Sequence, residues 1–520
     1  MELEKIAEIE HATWANRKEL FRFGVAMLFI VGVMLYVGSK GSDVTHMLVV
    51  AAMIGGYMAM NIGANDVANN VGPAVGSHAI TLTGAILIAA IFEAMGALVA
   101  GGDVVGTIKK GIINPAMIGD TDTFVWLMMG ALLAGALWLN LATAIGAPVS
   151  TTHSIVGGVL GAGIAAGGWA IANWAKMGQI AASWVISPVL GGIIAAAFLY
   201  LIKRTITYQT DMVAAARRMV PILIGVMAWA FGTYLVLKGF KHLWKVGMPV
   251  ALMIGLAIGL GVMILSKPLI NGMASRLENS KRSVNSLFTV PLIFAAALLS
   301  FAHGANDVAN AIGPLAAIND ALTKGAISAK AAIPLWVMMV GALGIAIGLA
   351  LYGPKLIRTV GSEITELDQI RAFCIALAAA ITVIIATQLG LPVSSTHIAV
   401  GAVFGVGFLR EYLKANYARM VDEIELHHQG ADRDEVEAFM ERFKKAGLDE
   451  KASMLRELKE HRAKAELTKK ERKGLKKVYR HELVKRSALL KIIAAWIITV
   501  PASAILAAML YFTIRGMMLP

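Results

Sequence analysis

The sequence predicts an all-α polytopic membrane protein. We expect two inverted-topology repeats with broken or re-entrant helices, plus a charged helical cytoplasmic insert. The chain of 520 residues is 57% hydrophobic and only 16% charged, whereas soluble domains carry about 25% charged residues. Its apolar residues fall into runs of the length that crosses a bilayer as a helix. A polar motif, Gly-Ala-Asn-Asp-Val-Ala-Asn, occurs at 63–69 and again at 304–310.

The charge distribution also fits a membrane protein. The formal net charge is +13, but the Lys and Arg residues gather between the apolar runs, as the positive-inside rule requires of cytoplasmic loops. We therefore predict contact with a lipid bilayer and no binding of nucleic acid. The single cysteine, Cys374, lies within an apolar run and is predicted to be a buried, inert thiol.

In chain order, the apolar runs and loops divide the sequence into six segments. The first is an N-terminal segment with an extra transmembrane helix, and the last closes the second repeat. The segments are 1–46 (N-terminal segment and extra helix), 47–202 (repeat 1), 203–287 (connecting loops and two transmembrane helices), 288–409 (repeat 2), 410–486 (charged cytoplasmic insert) and 487–520 (last transmembrane helix of repeat 2).

A second motif pair supports the internal repeat. Pro-Val-Ser-Thr-Thr-His at 148–153 corresponds to Pro-Val-Ser-Ser-Thr-His at 392–397. Each copy follows an apolar run and precedes a short glycine-rich apolar piece. Two independent motifs at nearly equal separation indicate a duplicated unit.

Loop charges predict the orientation of the repeats. The insert and the basic loop 203–218 are expected on the cytoplasmic side. The closing helix of repeat 1 then runs inward and that of repeat 2 runs outward, which inverts one repeat relative to the other. The N-terminus and the insert are predicted to be cytoplasmic and the C-terminus external. The insert itself is predicted to be a soluble helical hairpin or tether that marks topology, with contact between its basic end and anionic lipid as the alternative.

The Pro-Val-Ser motifs predict an anion site. Proline, with the preceding glycine, favours the end of the incoming helix. The hydroxyl groups that follow would lie at the N-terminus of a short helix, where free N–H groups and the helix dipole favour an anion. The residues concerned are Ser150, Thr151, Thr152, Ser394, Ser395 and Thr396.

The Asn–Asp blocks predict a cation site. We expect both blocks to interrupt their helices, because broken backbone in a membrane is tolerated where it lines a cavity. Carboxylate and amide oxygens suit a hard cation, and sodium, as the only metal, is our extrapolation from that rule. No Lys or Arg lies within either motif pair, so a bound cation would supply the charge that the anion lacks, which predicts coupled symport. The ligands come from Asn65, Asp66, Asn69, Asn306, Asp307 and Asn310.

Three further positions leave alternatives open. Glu93, in the middle of an apolar run, is either a ligand for a cation or proton, or an acid paired with a neighbouring helix. Alignment of the repeats places Met338 opposite it, so this role is not duplicated. Thr143 and Thr387 are either additional cation ligands or hydroxyls bonded to the preceding helical turn.

Three histidines flank the motifs. We predict that His153 and His397, and in the same way His303, hydrogen-bond around the site. A catalytic or metal role is not expected for them, since no third ligand accompanies the pair.

These motifs resemble the inorganic phosphate transporter (PiT) family. The matching residues are 63–69, 304–310, 148–153 and 392–397, with Ile91-Phe92-Glu93 and 108–113 in the first half. The resemblance implies phosphate as substrate, symport with Na+ or H+, alternating access between inverted repeats, and a homodimer in the plasma membrane. It places Asp66, Asn69, Asp307 and Asn310 at cation and phosphate positions, with Asn69 and Asn310 assigned to phosphate.

The amino-acid sequence of the Asn–Asp blocks resembles the sodium-coupled branch of the family more than the proton-coupled branch. The extra first helix and an insert in the second half depart from its pattern. The alternative function is a proton-coupled symporter of phosphate or sulfate. An anion channel or an enzyme is not favoured, since paired acidic blocks are unlike a pore and no nucleophile–base pair is visible.

Overall fold

A computed structural model describes residues 2–40, 45–145, 149–239, 246–325, 333–363, 367–425 and 486–518. The described part is built from α-helices linked by short turns. Most of the predicted insert (426–485) and Pro148 lie outside the described residues.

The helices are numbered α1 to α16 in chain order. Short 3₁₀ turns occur at Pro115–Met117 and Trp169–Ile171, and π-helical turns end two of the helices at Lys203–Thr207 and Leu235–Gly239. The bounds are α1 Glu2–Gly38, α2 His46–Asn65, α3 Val67–Gly76, α4 Leu82–Ala100, α5 Gly102–Lys110, α6 Thr121–Ile145, α7 Thr151–Gly167, α8 Trp174–Ile202, α9 Met212–Tyr234, α10 Met248–Ala274, α11 Lys281–Ser286, α12 Thr289–Lys324, α13 Leu335–Glu363, α14 Gln369–Gln388, α15 Ser395–Glu425 and α16 Arg486–Met518.

The apolar helices confirm an integral membrane protein. Within the described residues, 11 helical stretches are long and apolar enough to cross a membrane. The extra first helix is among them, as Glu19–Gly38. Helix α7, with 17 residues, is not among them, as expected for the short piece after the first Pro-Val-Ser motif. Cys374 is buried, as predicted.

The two halves pack crosswise. Helix α2 of the first half lies against α13 of the second, and α12 of the second lies against α4 of the first. Glycines make both contacts possible: a Cβ on Gly63 would lie 1.9 Å from the Ile345 carbonyl oxygen, and one on Gly304 would lie 2.2 Å from the Glu93 carbonyl oxygen. The Asn–Asp motif of each half is therefore pressed against a helix of the other half.

The helices that follow the Pro-Val-Ser motifs also pack against helices of the other half. Helix α7 packs on α16, and α15 packs on α8. A Cβ on Gly161 would lie 2.2 Å from the Ala504 carbonyl oxygen, and one on Gly405 would lie 2.1 Å from the Gly192 carbonyl oxygen. Small residues four apart allow this close helix packing in membranes. The N-termini of α7 and α15 are thus fixed next to each other in the interior.

The predicted helix breaks are only partly present. Helices α2 and α3 meet at Asp66, whose backbone is itself right-handed helical (φ −84°, ψ −36°). Helix α12 runs without interruption through Asp307 and Pro314, so the prediction of a break at the second Asn–Asp block is wrong. The reason is that the Asn and Asp side chains find partners on other helices, which leaves the backbone hydrogen bonds of α12 intact. The break before Ser395 is present, with Gly390 at φ +64°.

The piece after the second Pro-Val-Ser motif is longer than predicted. Helix α15 continues from Ser395 to Glu425, past residue 409, where we expected the repeat to end. The predicted domain boundaries remain predictions.

Candidate functional site

The site begins at two helix N-termini. Ser150 Oγ accepts a hydrogen bond from the His153 N–H at 3.1 Å, and Ser394 Oγ accepts one from the His397 N–H at 3.2 Å. Both serines therefore cap their helices, as Ser commonly does. The hydroxyl clusters lie at helix N-termini as predicted, with Ser150 and Ser394 used as caps and the following residues facing the interior.

Asp66 joins the two halves. Its Oδ2 accepts a hydrogen bond from Thr151 Oγ1 at 2.6 Å, and its Oδ1 accepts one from Thr396 Oγ1 at 3.1 Å. The carboxylate is buried. One hydroxyl comes from each Pro-Val-Ser motif, so the cation and anion sites predicted from sequence share their side chains.

Asp307 has different partners. Its Oδ2 accepts from Ser395 Oγ at 3.0 Å and lies 2.9 Å from His303 Nε2. Its Oδ1 has no hydrogen-bond partner among the described residues. Ligand atoms of Asp66, His303 and Asp307 lie within 4.8 Å of one another, so the two acids of the two halves face a common space.

The asparagines that follow the acids cross between the halves. Asn69 Nδ2 donates to Thr396 Oγ1 at 2.9 Å, and Asn310 Nδ2 donates to Thr151 Oγ1 and Thr152 Oγ1 at 3.2 and 3.1 Å. Thr152 Oγ1 in turn donates to the Val393 carbonyl oxygen at 2.9 Å. Each half thus supplies the amide that holds the hydroxyls of the other half.

The asparagines that precede the acids stay within their own half. Asn65 Nδ2 donates to Thr143 Oγ1 at 3.0 Å, and Asn306 Nδ2 donates to Thr387 Oγ1 at 2.9 Å. Thr387 Oγ1 also donates to the Val383 carbonyl oxygen at 2.8 Å, which is the bond to the preceding turn that we left open. These pairs fix the helix ends next to the site.

Glu93 is paired with a neighbouring helix. Its Oε2 lies 2.6 Å from His303 Nδ1, and its Oε1 accepts from Asn70 Nδ2 at 2.7 Å. His303 therefore connects Glu93 with Asp307, and all three side chains are fully buried. The structure thus shows Glu93 as an acid paired with a neighbouring helix, and its role as a ligand for a cation or proton stays a prediction.

Sequence reasoning missed Asn70 and underrated His303. A signal was present in the differences between the repeats. At the matching places of the other half stand Ala311 for Asn70 and Ile62 for His303, and the glycine contacts place Ile345, rather than Met338, opposite Glu93. Asn70 and Glu93 of the first half and His303 of the second, none of them duplicated in the other half, thus form one contiguous network.

The other two histidines do not hydrogen-bond as predicted. The ring nitrogens of His153 and His397 find no hydrogen-bond partner among the described residues. His397 stacks on Trp496 with ring centroids 3.6 Å apart, and His153 packs edge-on against Trp184 at 3.8 Å. Aromatic packing therefore holds both rings, behind the hydroxyl clusters.

The cluster has oxygen atoms suited to a hard cation. Besides Asp307 Oδ1, the buried amide oxygens of Asn69, Asn70 and Asn310 accept no hydrogen bond within the described part of the chain. Buried polar atoms rarely lack a partner unless they have a functional role or bind water or an ion. Carboxylate and amide oxygens are the ligand types that hard cations take.

Four of the hydroxyl groups, in contrast, already donate a hydrogen bond. Thr151 and Thr396 donate to Asp66, Ser395 donates to Asp307, and Thr152 donates to Val393. A hydroxyl has one proton to donate, so these groups cannot donate to an anion while they hold the carboxylates. Thr151, Thr396 and Ser395 can therefore donate to an anion only after the carboxylates of Asp66 and Asp307 have found another partner.

The chain is similar to known proteins in both sequence and structure. A sequence model described as "Phosphate transporter family" matches residues 62–507. The chain is 55% identical to a protein of Helicobacter pylori (strain J99) that carries the name phosphate permease, with 98% of both chains covered. It is 41% identical to one of the same name in Pyrococcus abyssi, over 71% of this chain and 90% of that protein.

A solved structure is also similar. It is titled "The sodium-dependent phosphate transporter", with a TM-score of 0.74 and 30% sequence identity, and the alignment covers 91% of this chain and 100% of that chain.

Proposed function

Because this chain belongs to the phosphate transporter family, a family of permeases and not of enzymes, we propose that it imports inorganic phosphate by sodium symport. The sodium dependence rests on the cluster chemistry and on the name of the similar solved structure. The proposed cation ligands are the carboxylates of Asp66 and Asp307, with oxygens of Asn65, Asn306, Thr143, Thr387 and Glu93 around them. The proposed phosphate ligands are the hydroxyls of Ser150, Thr151, Thr152, Ser394, Ser395 and Thr396 and the amides of Asn69 and Asn310.

One observation carries this proposal. Hydroxyls of both halves donate to the buried carboxylate of Asp66, through Thr151 and Thr396. A buried carboxylate needs a charge-compensating or hydrogen-bonding partner. Sodium bound at the carboxylates would provide that partner, and the hydroxyls would then turn their protons toward a phosphate ion.

Coupling follows from this exchange of partners. Without sodium the hydroxyls are occupied, and the anion would face uncompensated carboxylates. With sodium bound, the hydroxyl donors are free and the net negative charge of the cluster is smaller. Each ligand therefore favours the other by the same free energy, as linkage requires.

The membrane potential can then drive accumulation. Each net positive charge that moves inward down a potential of 100 mV yields about 2.3 kcal/mol. At 1.4 kcal/mol per factor of ten, this supports a gradient of roughly fiftyfold.

The test is uptake of radiolabelled phosphate into proteoliposomes. A sodium gradient is compared with a proton gradient at equal membrane potential, for the wild type, Asp307→Asn and the exposed control Asp122→Asn. We expect uptake with sodium in the wild type and in the control, and its loss in Asp307→Asn. Uptake driven by protons alone would contradict sodium coupling, and a flux of sulfate without phosphate would contradict the substrate.

A second candidate, proton-coupled transport, is favoured by one observation. Glu93, His303 and Asp307 form a buried chain in which a proton could reside, with contacts of 2.6 and 2.9 Å. In that case Glu93→Gln would abolish proton-driven uptake. For the sodium symporter, Glu93→Gln would weaken uptake while the dependence on sodium persists.

Transport itself would use the two halves. The crosswise packing supports two inverted repeats that alternate access to the central cluster. The cytoplasmic N-terminus and insert, the external C-terminus, the plasma-membrane location and the homodimer remain our predictions.

A further inference from the structure

A second polar cavity lies away from the central cluster, with a volume of about 150 Å³. It is enclosed by the π-helical end of α8, the start of α9, the short helix α11 and the N-terminus of α14. Its polar lining consists of Lys203, Thr207, Lys281, Asn285, Asp368 and Arg371.

The cavity carries an excess of positive charge. Three of the lining residues are cationic and Asp368 is their acidic partner. Asp368 is already shared, because Oδ2 pairs with Arg371 Nη2 at 3.1 Å and Oδ1 accepts from the Arg371 N–H at 2.9 Å as the cap of α14. The charges of Arg371, Lys281 and Arg410 of α15 oppose the charge of Lys203, whereas that of Asp368 favours it. Such a concentration of like charge is costly unless an anion compensates it.

The walls of the cavity are held by hydrogen bonds between separate elements. Asn285 Oδ1 accepts from the Ile370 N–H at 3.1 Å, which fixes α11 to α14. Asn279 Oδ1 accepts from the Met212 N–H at 2.9 Å, which fixes the loop before α11 to α9. The cationic groups are thus brought together by the fold, and their proximity is not an accident of flexible side chains.

The cavity lies at the end of a membrane span. The apolar stretch of α8 and its π-turn runs over Trp174–Thr207, and Lys203 Nζ lies 5.5 Å from the ring centroid of Tyr208. Tyrosine and lysine at a helix end are typical of the membrane–water interface. Basic pockets between transmembrane helices at this level suit phosphate headgroups of lipids.

We propose that this cavity binds a phosphate group with net negative charge, on the side of the membrane that we predict to be cytoplasmic. The group is carried either by an anionic phospholipid or by a free phosphate ion. Arg371 provides the planar donor pair for two phosphate oxygens, and Lys203 and Lys281 provide further charge. The proposal is independent of sodium coupling, because no residue of the central cluster takes part.

The test uses the full-length protein in nanodiscs, in choline buffer without sodium. Thermal unfolding is measured in discs of phosphatidylcholine, in discs that also contain phosphatidylglycerol, and in phosphatidylcholine discs titrated with inorganic phosphate. The variants are Lys203→Gln and Lys281→Gln. The control is Arg204→Gln, an exposed cation next to Lys203 that does not line the cavity.

We expect an anion to raise the Tm of the wild type and of Arg204→Gln. A rise with phosphatidylglycerol assigns a lipid, and a rise with inorganic phosphate in neutral discs assigns the free ion. In the two lysine variants the apparent affinity for that anion should fall roughly tenfold, the loss of one charge-assisted hydrogen bond. Without anion, Lys203→Gln should unfold at the wild-type temperature or above, because a repelled charge is removed.

Two results would overturn the proposal. The first is a wild-type Tm that neither anion moves. The second is an equal response to the anion in the wild type and in both lysine variants, which would place the binding elsewhere. Phosphate uptake is measured separately, so a failure here is distinguishable from a failure of the transport function.

Discussion

Asp66 and Asp307 occupy matching places in the two repeats but have different partners. Asp66 accepts from two hydroxyls, whereas Asp307 accepts from one, lies 2.9 Å from His303 Nε2 and keeps one oxygen without a partner. The unpartnered oxygen makes Asp307 the acid most ready to receive a cation. Asp66 must first release a hydroxyl.

The first prediction concerns sodium affinity. Asp307→Asn removes the charge and leaves the size unchanged, so the apparent sodium affinity of the purified protein should fall roughly tenfold or more, as expected for a charge-assisted contact of about 1.5–3 kcal/mol. Isothermal titration with NaCl measures it. Asp122→Asn, on an exposed first turn, should keep wild-type affinity. An unchanged sodium affinity in Asp307→Asn would move the cation away from this acid.

The second prediction concerns the network of Asn70, Glu93 and His303, whose residues have no counterpart at the matching places of the other repeat. Asn70→Ala introduces the residue type found at the matching Ala311 and leaves Glu93 Oε1 without its 2.7 Å donor. We expect a loss of about 1–3 kcal/mol in unfolding free energy, the cost of an unsatisfied buried acceptor. Tm measurements check it, and in the double variant Asn70→Ala/Glu93→Gln the two losses should not add.

Asn61→Ala is the matched control for Asn70→Ala. Asn61 is buried, but its amide donates within its own helix to the Tyr57 carbonyl oxygen at 2.9 Å. Its replacement should cost clearly less. Equal losses of unfolding free energy at both positions would mean that the hydrogen bond to Glu93 stabilises the protein no more than the bond of Asn61 within its own helix.

At the scale of helices, the sequence predicts some features better than others. Proline and glycine act on their own backbone, so the break before Ser395 and the caps at Ser150 and Ser394 could be predicted locally. The continuity of α12 could not, because it depends on partners of Asn306 and Asn310 that lie about 80 and 160 residues away in sequence (|i−j| of 81, 158 and 159).

The site, like the helices, could be predicted from the sequence only in part. The identity of its polar residues could be predicted from repeated motifs. The sharing of hydroxyls between Asp66 and the anion site could not, since it arises where Thr151 and Thr396 of different halves meet. Differences between the repeats, such as His303 against Ile62, carried information that motif matching alone discards.

The third prediction concerns the glycine contacts of the closing helices. A Cβ at Gly161 would lie 2.2 Å from the Ala504 carbonyl oxygen, and one at Gly405 would lie 2.1 Å from that of Gly192. Gly161→Ala and Gly405→Ala should each destabilise the protein by about 1–3 kcal/mol, because backbone must shift. Thermal unfolding in detergent measures the loss. Gly261→Ala, with nothing within 4 Å, should be as stable as the wild type, and three equal Tm values would disprove the close packing.

At the scale of the whole molecule, each half completes its site with the other half. Asp66 of the first half holds Thr396 of the second, and Asn310 of the second half holds Thr151 and Thr152 of the first. A relative movement of the halves must therefore change the cluster. This is the physical basis on which we connect ligand binding with alternating access.

The fourth prediction concerns orientation. Single cysteines at the exposed positions Asp120 and Thr210, in a Cys374→Ala background, should report opposite sides of the membrane. We expect a membrane-impermeant maleimide to label Asp120→Cys in intact cells and Thr210→Cys only after permeabilisation. The proximity of Asp120 to Arg515, whose charges interact, agrees with an external C-terminus. Labelling of both positions in intact cells would contradict the predicted orientation of repeat 1.

The central claim is that sodium releases the hydroxyls for phosphate, and equilibrium binding tests it most directly. Binding of radiolabelled phosphate is measured in sodium and in choline, on the purified wild type and on Lys203→Gln, so that binding at the second cavity is distinguished from binding at the central cluster. We expect sodium to strengthen phosphate binding by roughly 5–150-fold, the usual range of coupling between sites, and phosphate to strengthen sodium binding by the same factor. Phosphate that binds equally well in choline would contradict it.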